Sequence, residues 1–169
     1  MNSKLISRTA IAISLGIIFS MVKIFQLPFG GSVTFFSLLF ISLPGFWFGI
    51  RVGVIAGVIA GVINFLIEPF YLHPVQFFLD YILGFGSLGF SGIFHSQKKS
   101  LMKGFFFVAF LKFVCSFISG VIFFKSYTPE NCSVFTYSFI YNFSYIALET
   151  FMTIILLCIP KVEKIFEMK

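Results

Sequence analysis

Charge is what this sequence has least of. Only 11% of its residues are Asp, Glu, Lys or Arg, against 59% hydrophobic and a mean hydropathy of +1.03. Soluble globular domains carry about a quarter charged residues, so this is the composition of a membrane protein. Cysteine is also scarce. Cys115, Cys132 and Cys158 are odd in number and show no CxxC or Cys/His spacing, which leaves a zinc site without ligands and a disulfide with little support. They read as packing residues. The net charge of +6 forms no contiguous basic face, so nucleic acid is not an expected partner. No GxxxxGK[ST], GxSxG or HExxH occurs, and no carboxylates pair at metal-ligand spacing. The chain is therefore not expected to be an enzyme, to hold a metal or cofactor, or to hydrolyse ATP through a P-loop.

What is present is a succession of long apolar runs. At about 20 residues per spanning helix, six spans take about 120 residues and leave about 50 for connections. The fold class expected is an all-α integral membrane protein, a six-transmembrane-helix bundle forming a single domain over 1–169. Its helices fall at about 9–25, 33–50, 53–69, 75–94, 104–124 and 133–159. The first run is too long for a signal-peptide core and lacks a cleavage pattern. Ala12, Gly16 and Ser20 repeat along it every fourth residue, which fits either packing inside the bundle or docking of a partner. Gly53, Gly57 and Gly61 form the strongest close-packing row, read as structural. Pro28 with Gly30-Gly31 marks a turn, Pro44-Gly45 a kink, Arg51 a short loop, and Pro160 the start of a charged tail.

Positive charge is distributed unevenly. Lys4, Arg8, Arg51, Lys98, Lys99, Lys103, Lys161, Lys164 and Lys169 fall on one side of a six-span topology, and only Lys125, with Lys23 near the boundary, on the other. By the positive-inside rule both termini are cytoplasmic.

The stretch from Glu68 to Gly92 holds the most chemistry. Gln76, Asp80 and Gly84 share one helical face, and a carboxylate within a span costs about 2.5–3.5 kcal/mol on insertion scales. Ser116 and Ser119 on the fifth helix, and Tyr137, Ser138 and Asn142 on the sixth, are expected to converge with it. Tyr71, Phe123, Phe124, Phe135 and Tyr141 would surround them with aromatic rings. A carboxylate among rings suits an organic cation, and Asn and Tyr can read the polar edge of a heterocycle. Two other readings stay open. Asp80 and Lys112 could form an internal network that only stabilises the bundle. Asp80, Lys112 and Glu149 could instead drive a stand-alone proton-coupled carrier. A membrane enzyme acting on lipid is disfavoured by the missing acidic motif.

HPVQFFLDYILGFGSLGFSG (73–92), FISGVIFFKSYTPE (117–130) and YSFIYN (137–142) resemble the thiamine-specific S-component of energy-coupling factor (ECF) transporters. The resemblance runs from the FGGS turn through helix six. It implies capture of extracellular thiamine at the bacterial cell membrane, in partnership with a transmembrane coupling protein and two cytoplasmic ATPases. It also implies that the family's acidic ligand falls at Asp80, followed by a pocket tyrosine at Tyr81, with the helix-six pair at Tyr137 and Asn142. Ala12 and Gly16 would take the partner-docking face. This chain departs from the family at Ser116, where a histidine is usual, and at Phe135, where a tryptophan is usual; Phe124 meets a further aromatic position. Those departures leave thiamine phosphates or a pyrimidine precursor as alternative ligands.

Overall fold

The computed structural model describes residues 3–95 and 101–167. Its helices are α1 (Ser3–Met21), α2 (Ser37–Phe48), α3 (Ile50–Ile67), α4 (Pro74–Phe94), α5 (Leu101–Phe123), α6 (Val134–Leu157) and α7 (Pro160–Glu167). All but α2 and α7 are long and apolar enough to cross a membrane. Between α1 and α2 the chain forms an antiparallel hairpin, β1 (Lys23–Gln26) and β2 (Ser32–Thr34), with Lys23 opposite Thr34 and Gln26 opposite Ser32.

That hairpin replaces the ends of two expected helices. Pro28 pushes the preceding residue out of the helical region, and Leu27 sits at φ −91°, ψ 154°. Upstream, β-branched and aromatic residues then pair across the turn instead of extending α1 to 25. Val33 and Thr34 join the ladder rather than α2, which starts only after Phe36, held at φ 61°. With 12 residues at about 1.5 Å each, α2 rises about 18 Å, little more than half of a 30 Å hydrocarbon layer. Non-helical backbone at that depth must be buried in protein or line a cavity. Val33 and Thr34 of β2 are buried and the turn at 26–32 lines a cavity, whereas Ile24 and Phe25 of β1 face outward.

At its other end α2 stops at Gly49, whose φ of 89° lets α3 follow with no further loop. Arg51 consequently lies in the first turn of α3 rather than in a connection. The Gly53, Gly57 and Gly61 row packs against α4 so closely that a methyl group at 57 or 61 would overlap the carbonyl oxygens of Phe85 and Tyr81. The residues after Pro160 form a helix and not a loose tail. Trp47 Nε1–H donates to the Phe166 carbonyl at 2.6 Å, and the Phe40 and Phe166 rings meet edge-on at 5.6 Å. Lys98, Lys99 and Lys169 lie outside the described residues.

The tightest core occupies the half of the bundle that contains the described ends of the chain. Leu39, Ile41 and Leu43 of α2 pack there with Leu88, Leu101, Phe105, Val108 and Leu157, all essentially without exposure. Ala12 and Gly16 belong to this packing. Ala12 is buried, and a methyl group on Gly16 would sit 2.5 Å from Ile41. Their row is filled by α2, which corrects the expectation of a partner-docking face at those two positions.

Candidate solute-binding cavity

The half with the hairpin encloses a cavity of about 770 Å³, within the range that holds small organic ligands. Its walls come from α3, α4, α5 and α6 and its cover from the hairpin and the Glu68–Phe70 connection. Local winding of α4 places the key carboxylate. His73 caps this helix by accepting the Val75 N–H at Nδ1 (3.1 Å), and its ring stacks on Phe123 at 5.4 Å. From Phe78 to Leu83 the helix widens to a π turn, with the Gly84 N–H bonded five residues back to the Leu79 carbonyl. Such turns free backbone groups and are frequent at functional sites.

Lys112 takes advantage of the widening. Its ammonium donates to the main-chain carbonyl of Asp80 at 2.9 Å and lies 4.6 Å from the centre of the Phe85 ring. Gly84 makes the approach possible, since a methyl group there would be 2.7 Å from Lys112 Nζ. The Asp80 carboxylate accepts from the Ser119 hydroxyl at 2.8 Å, with the Gln76 amide also beside it. Among the described residues the ion pair within 4.0 Å is Lys23–Glu68, at the cavity mouth, and not Asp80–Lys112. Lys112 thus holds Asp80 by its main chain, with its charge still near enough to act on the carboxylate but not paired with it within 4.0 Å.

The α6 wall is ordered by its own bonds. Asn142 donates to the Ser138 carbonyl at 2.8 Å and accepts from the Tyr145 hydroxyl at 2.9 Å, which fixes which way its amide points. Ser138 in turn donates to the Phe117 carbonyl of α5 at 2.9 Å. Tyr141 stacks against Tyr137 at 6.1 Å and reaches the hairpin, accepting the Gly31 N–H at 2.9 Å and donating to the Pro28 carbonyl. Overhead, Phe70 lies parallel to Phe124 at 6.2 Å and Phe29 meets Phe124 edge-on at 6.3 Å.

A second carboxylate, Glu149, stands deeper. It accepts from the Thr34 hydroxyl (2.6 Å) and N–H (3.3 Å), the Ser37 hydroxyl (3.2 Å) and the Leu38 N–H (3.0 Å). It serves as the N-cap of α2, supplied from another helix, since the orphan N–H groups of a helix start need an acceptor and favour a negative charge.

Gln76, Asp80, Tyr81, Ser116, Phe124, Tyr137, Tyr141 and Asn142 all border the cavity. Tyr71 and Phe135 do not. Tyr71 is 53% exposed, lying outside the bundle against Phe65, and Phe135 is 64% exposed. Phe135, Phe139 and Phe143 recur every fourth residue along the outward stripe of α6, whereas Tyr137, Tyr141 and Asn142 take the inward one. Glu68 and the Pro28–Ser32 turn also border the cavity, as do Lys23 and Asn64, which were not anticipated. Asn64, which accepts from Ser20 at 2.6 Å, could have been suspected as an amide inside a span.

The model of the family described as Thiamine transporter protein matches residues 6–167. Thiamine transporter ThiT of Bacillus subtilis (strain 168) is 32% identical over 165 residues, which span 89% of this chain and 84% of that protein. The crystal structure of ThiT from Listeria monocytogenes superimposes with a TM-score of 0.72 over 95% of this chain and 98% of that one. Its identity is only 21%, so the likeness is one of fold. These matches span nearly the whole chain and name transporters rather than enzymes: the chain belongs to the thiamine transporter protein family.

Proposed function

We propose that this chain captures thiamine on the outer side of a bacterial cell membrane, as the substrate-binding subunit of an ECF-type importer. The observation that carries the proposal is the Asp80 carboxylate, half-buried against the cavity, held by the Ser119 hydroxyl and the neighbouring Gln76 amide, with no ion pair within 4.0 Å among the described residues. A carboxylate that borders a cavity without a close ion pair is matched by a cation. The thiazolium ring of thiamine carries a permanent positive charge, and aromatic faces such as Tyr81 and Phe124 add about 2 kcal/mol each when desolvated. Asn142 and Tyr137 are assigned to the aminopyrimidine edge. Ser116, small where the family resemblance implies histidine, leaves that side to be filled by the ligand or by water. Release inward is assigned to the coupling protein and its ATPases, since this chain has no P-loop.

Orientation follows the basic residues. Lys4, Arg8, Arg51, Lys103, Lys161 and Lys164 gather at the end away from the cavity, which supports cytoplasmic termini and an outward-facing hairpin. Proton coupling through Glu149 is the weaker reading, because that carboxylate is occupied as a helix cap.

Calorimetric titration of the detergent-purified chain tests the assignment. Thiamine should bind with Kd well below about 10 μM, corresponding to about −6.8 kcal/mol, and tighter than thiamine monophosphate or the isolated aminopyrimidine. No saturable heat with thiamine would overturn it. Tryptophan fluorescence is a poor probe of this site, because the sole tryptophan, Trp47, lies at the opposite end of the bundle.

A further inference from the structure

A second crevice, of about 290 Å³, opens at the end opposite the cavity, between α1, α2 and α7. Its walls are apolar, formed by Ile11, Leu15, Leu43, Trp47 and Ile165, with one charged group, Arg8, among them. Arg8 has no acidic partner within 4.0 Å among the described residues. A partly buried guanidinium beside an open apolar slot needs an anion, and the slot needs an apolar occupant.

One molecule supplies both. We propose that this crevice is a site for an anionic phospholipid, with an acyl chain along the apolar walls and the phosphate against Arg8. Charge complementarity favours this occupant over a zwitterionic lipid. That end of the molecule carries Lys4, Arg8, Arg51, Lys103, Lys161 and Lys164, against Glu163 among the described side chains. Basic pockets between spanning helices on one membrane face are suited to anionic head groups. α7 adds a second argument. It puts Lys161 and Lys164 beside Ile165, which is 63% exposed, the arrangement of a helix lying in the head-group layer. The bond from Trp47 to the Phe166 carbonyl holds α7 in place as one wall of the slot.

Trp47 makes the proposal measurable, because it is the sole tryptophan and lines the slot. The full chain is reconstituted in vesicles of phosphatidylglycerol and phosphatidylcholine, with bromine on the acyl chains of one lipid or the other at equal total bromine. Brominated phosphatidylglycerol should quench Trp47 as though enriched at least fivefold over its bulk fraction, about the weight of one basic residue near a charged surface. In Arg8→Gln the enrichment should fall to near unity, with unchanged circular dichroism. Equal quenching by both lipids would overturn the proposal, since bulk lipid would then merely wet the slot. Absent quenching would overturn it too, because protein would then close the crevice. Enrichment that survives in Arg8→Gln would move the lipid to the basic surface at large and defeat the site as proposed.

Discussion

The surroundings of Asp80 and Glu149 are a controlled comparison within one molecule. Both are carboxylates inside spanning helices, and both border the same cavity. Glu149 accepts four hydrogen bonds from Thr34, Ser37 and Leu38, enough to occupy both of its oxygens. Asp80 accepts from Ser119, with Gln76 beside it, and its nearest cation, Lys112, bonds its main-chain carbonyl rather than forming a close ion pair with the carboxylate. A membrane-embedded acid is expensive in either setting. Full internal satisfaction marks the structural one, and the shortfall marks the one that awaits a ligand.

The comparison predicts opposite patterns of damage. Glu149→Ala strands four donors around the start of α2 and should cost about 3–5 kcal/mol of stability. In a chain of this size the midpoint of thermal unfolding in detergent should fall by roughly 10 °C. A fall of less than about 3 °C would mean that water replaces the carboxylate. Asp80→Asn should do the reverse. The unliganded melting point should stay within about 2 °C, while thiamine affinity drops by about 100-fold, or roughly 3 kcal/mol. Unchanged affinity by calorimetry would break the comparison at its centre.

Two smaller effects sharpen it. Gly61→Ala pushes α3 off the widened turn of α4 at the Tyr81 carbonyl, and overpacking of this kind costs about 1–3 kcal/mol. It should lower stability and affinity together, because the same turn presents Asp80; affinity retained at full strength would uncouple the turn from the site. Phe135→Ala should be nearly silent, changing thiamine affinity less than about twofold, because that ring faces outward. A tenfold loss would restore Phe135 to the site.

Asp80 was legible from sequence for a physical reason: a carboxylate in a span is costly enough that its position carries information. Gln76 followed from helical spacing relative to it, and Ser116 and Asn142 from the polar stripes of their own helices. Aromatic rings carry no such signal in a chain that is 21% aromatic, so proximity in sequence placed at the site Tyr71, whose connection turns it outward, and Phe135, whose helix face excludes it. The hairpin was hidden because β-branched and aromatic residues beside an apolar run read as more helix. The role of Glu149 was hidden because its donors lie 111 to 115 residues away. Close packing of the glycine row was legible, but the same logic applied to Ala12 and Gly16 identified a tight contact without saying that α2 already fills it.

The truncated second helix also shapes how the molecule loosens. In one sector of the bundle the backbone at bilayer depth is tethered by a short two-stranded ladder, the hydroxyl of Tyr141 and the carboxylate of Glu149. The neighbouring α3 is tied by continuous intrahelical bonds. Amide deuteration should therefore run ahead by orders of magnitude over 23–36 compared with 50–67, and that sector offers a small solute the least costly opening into the protein.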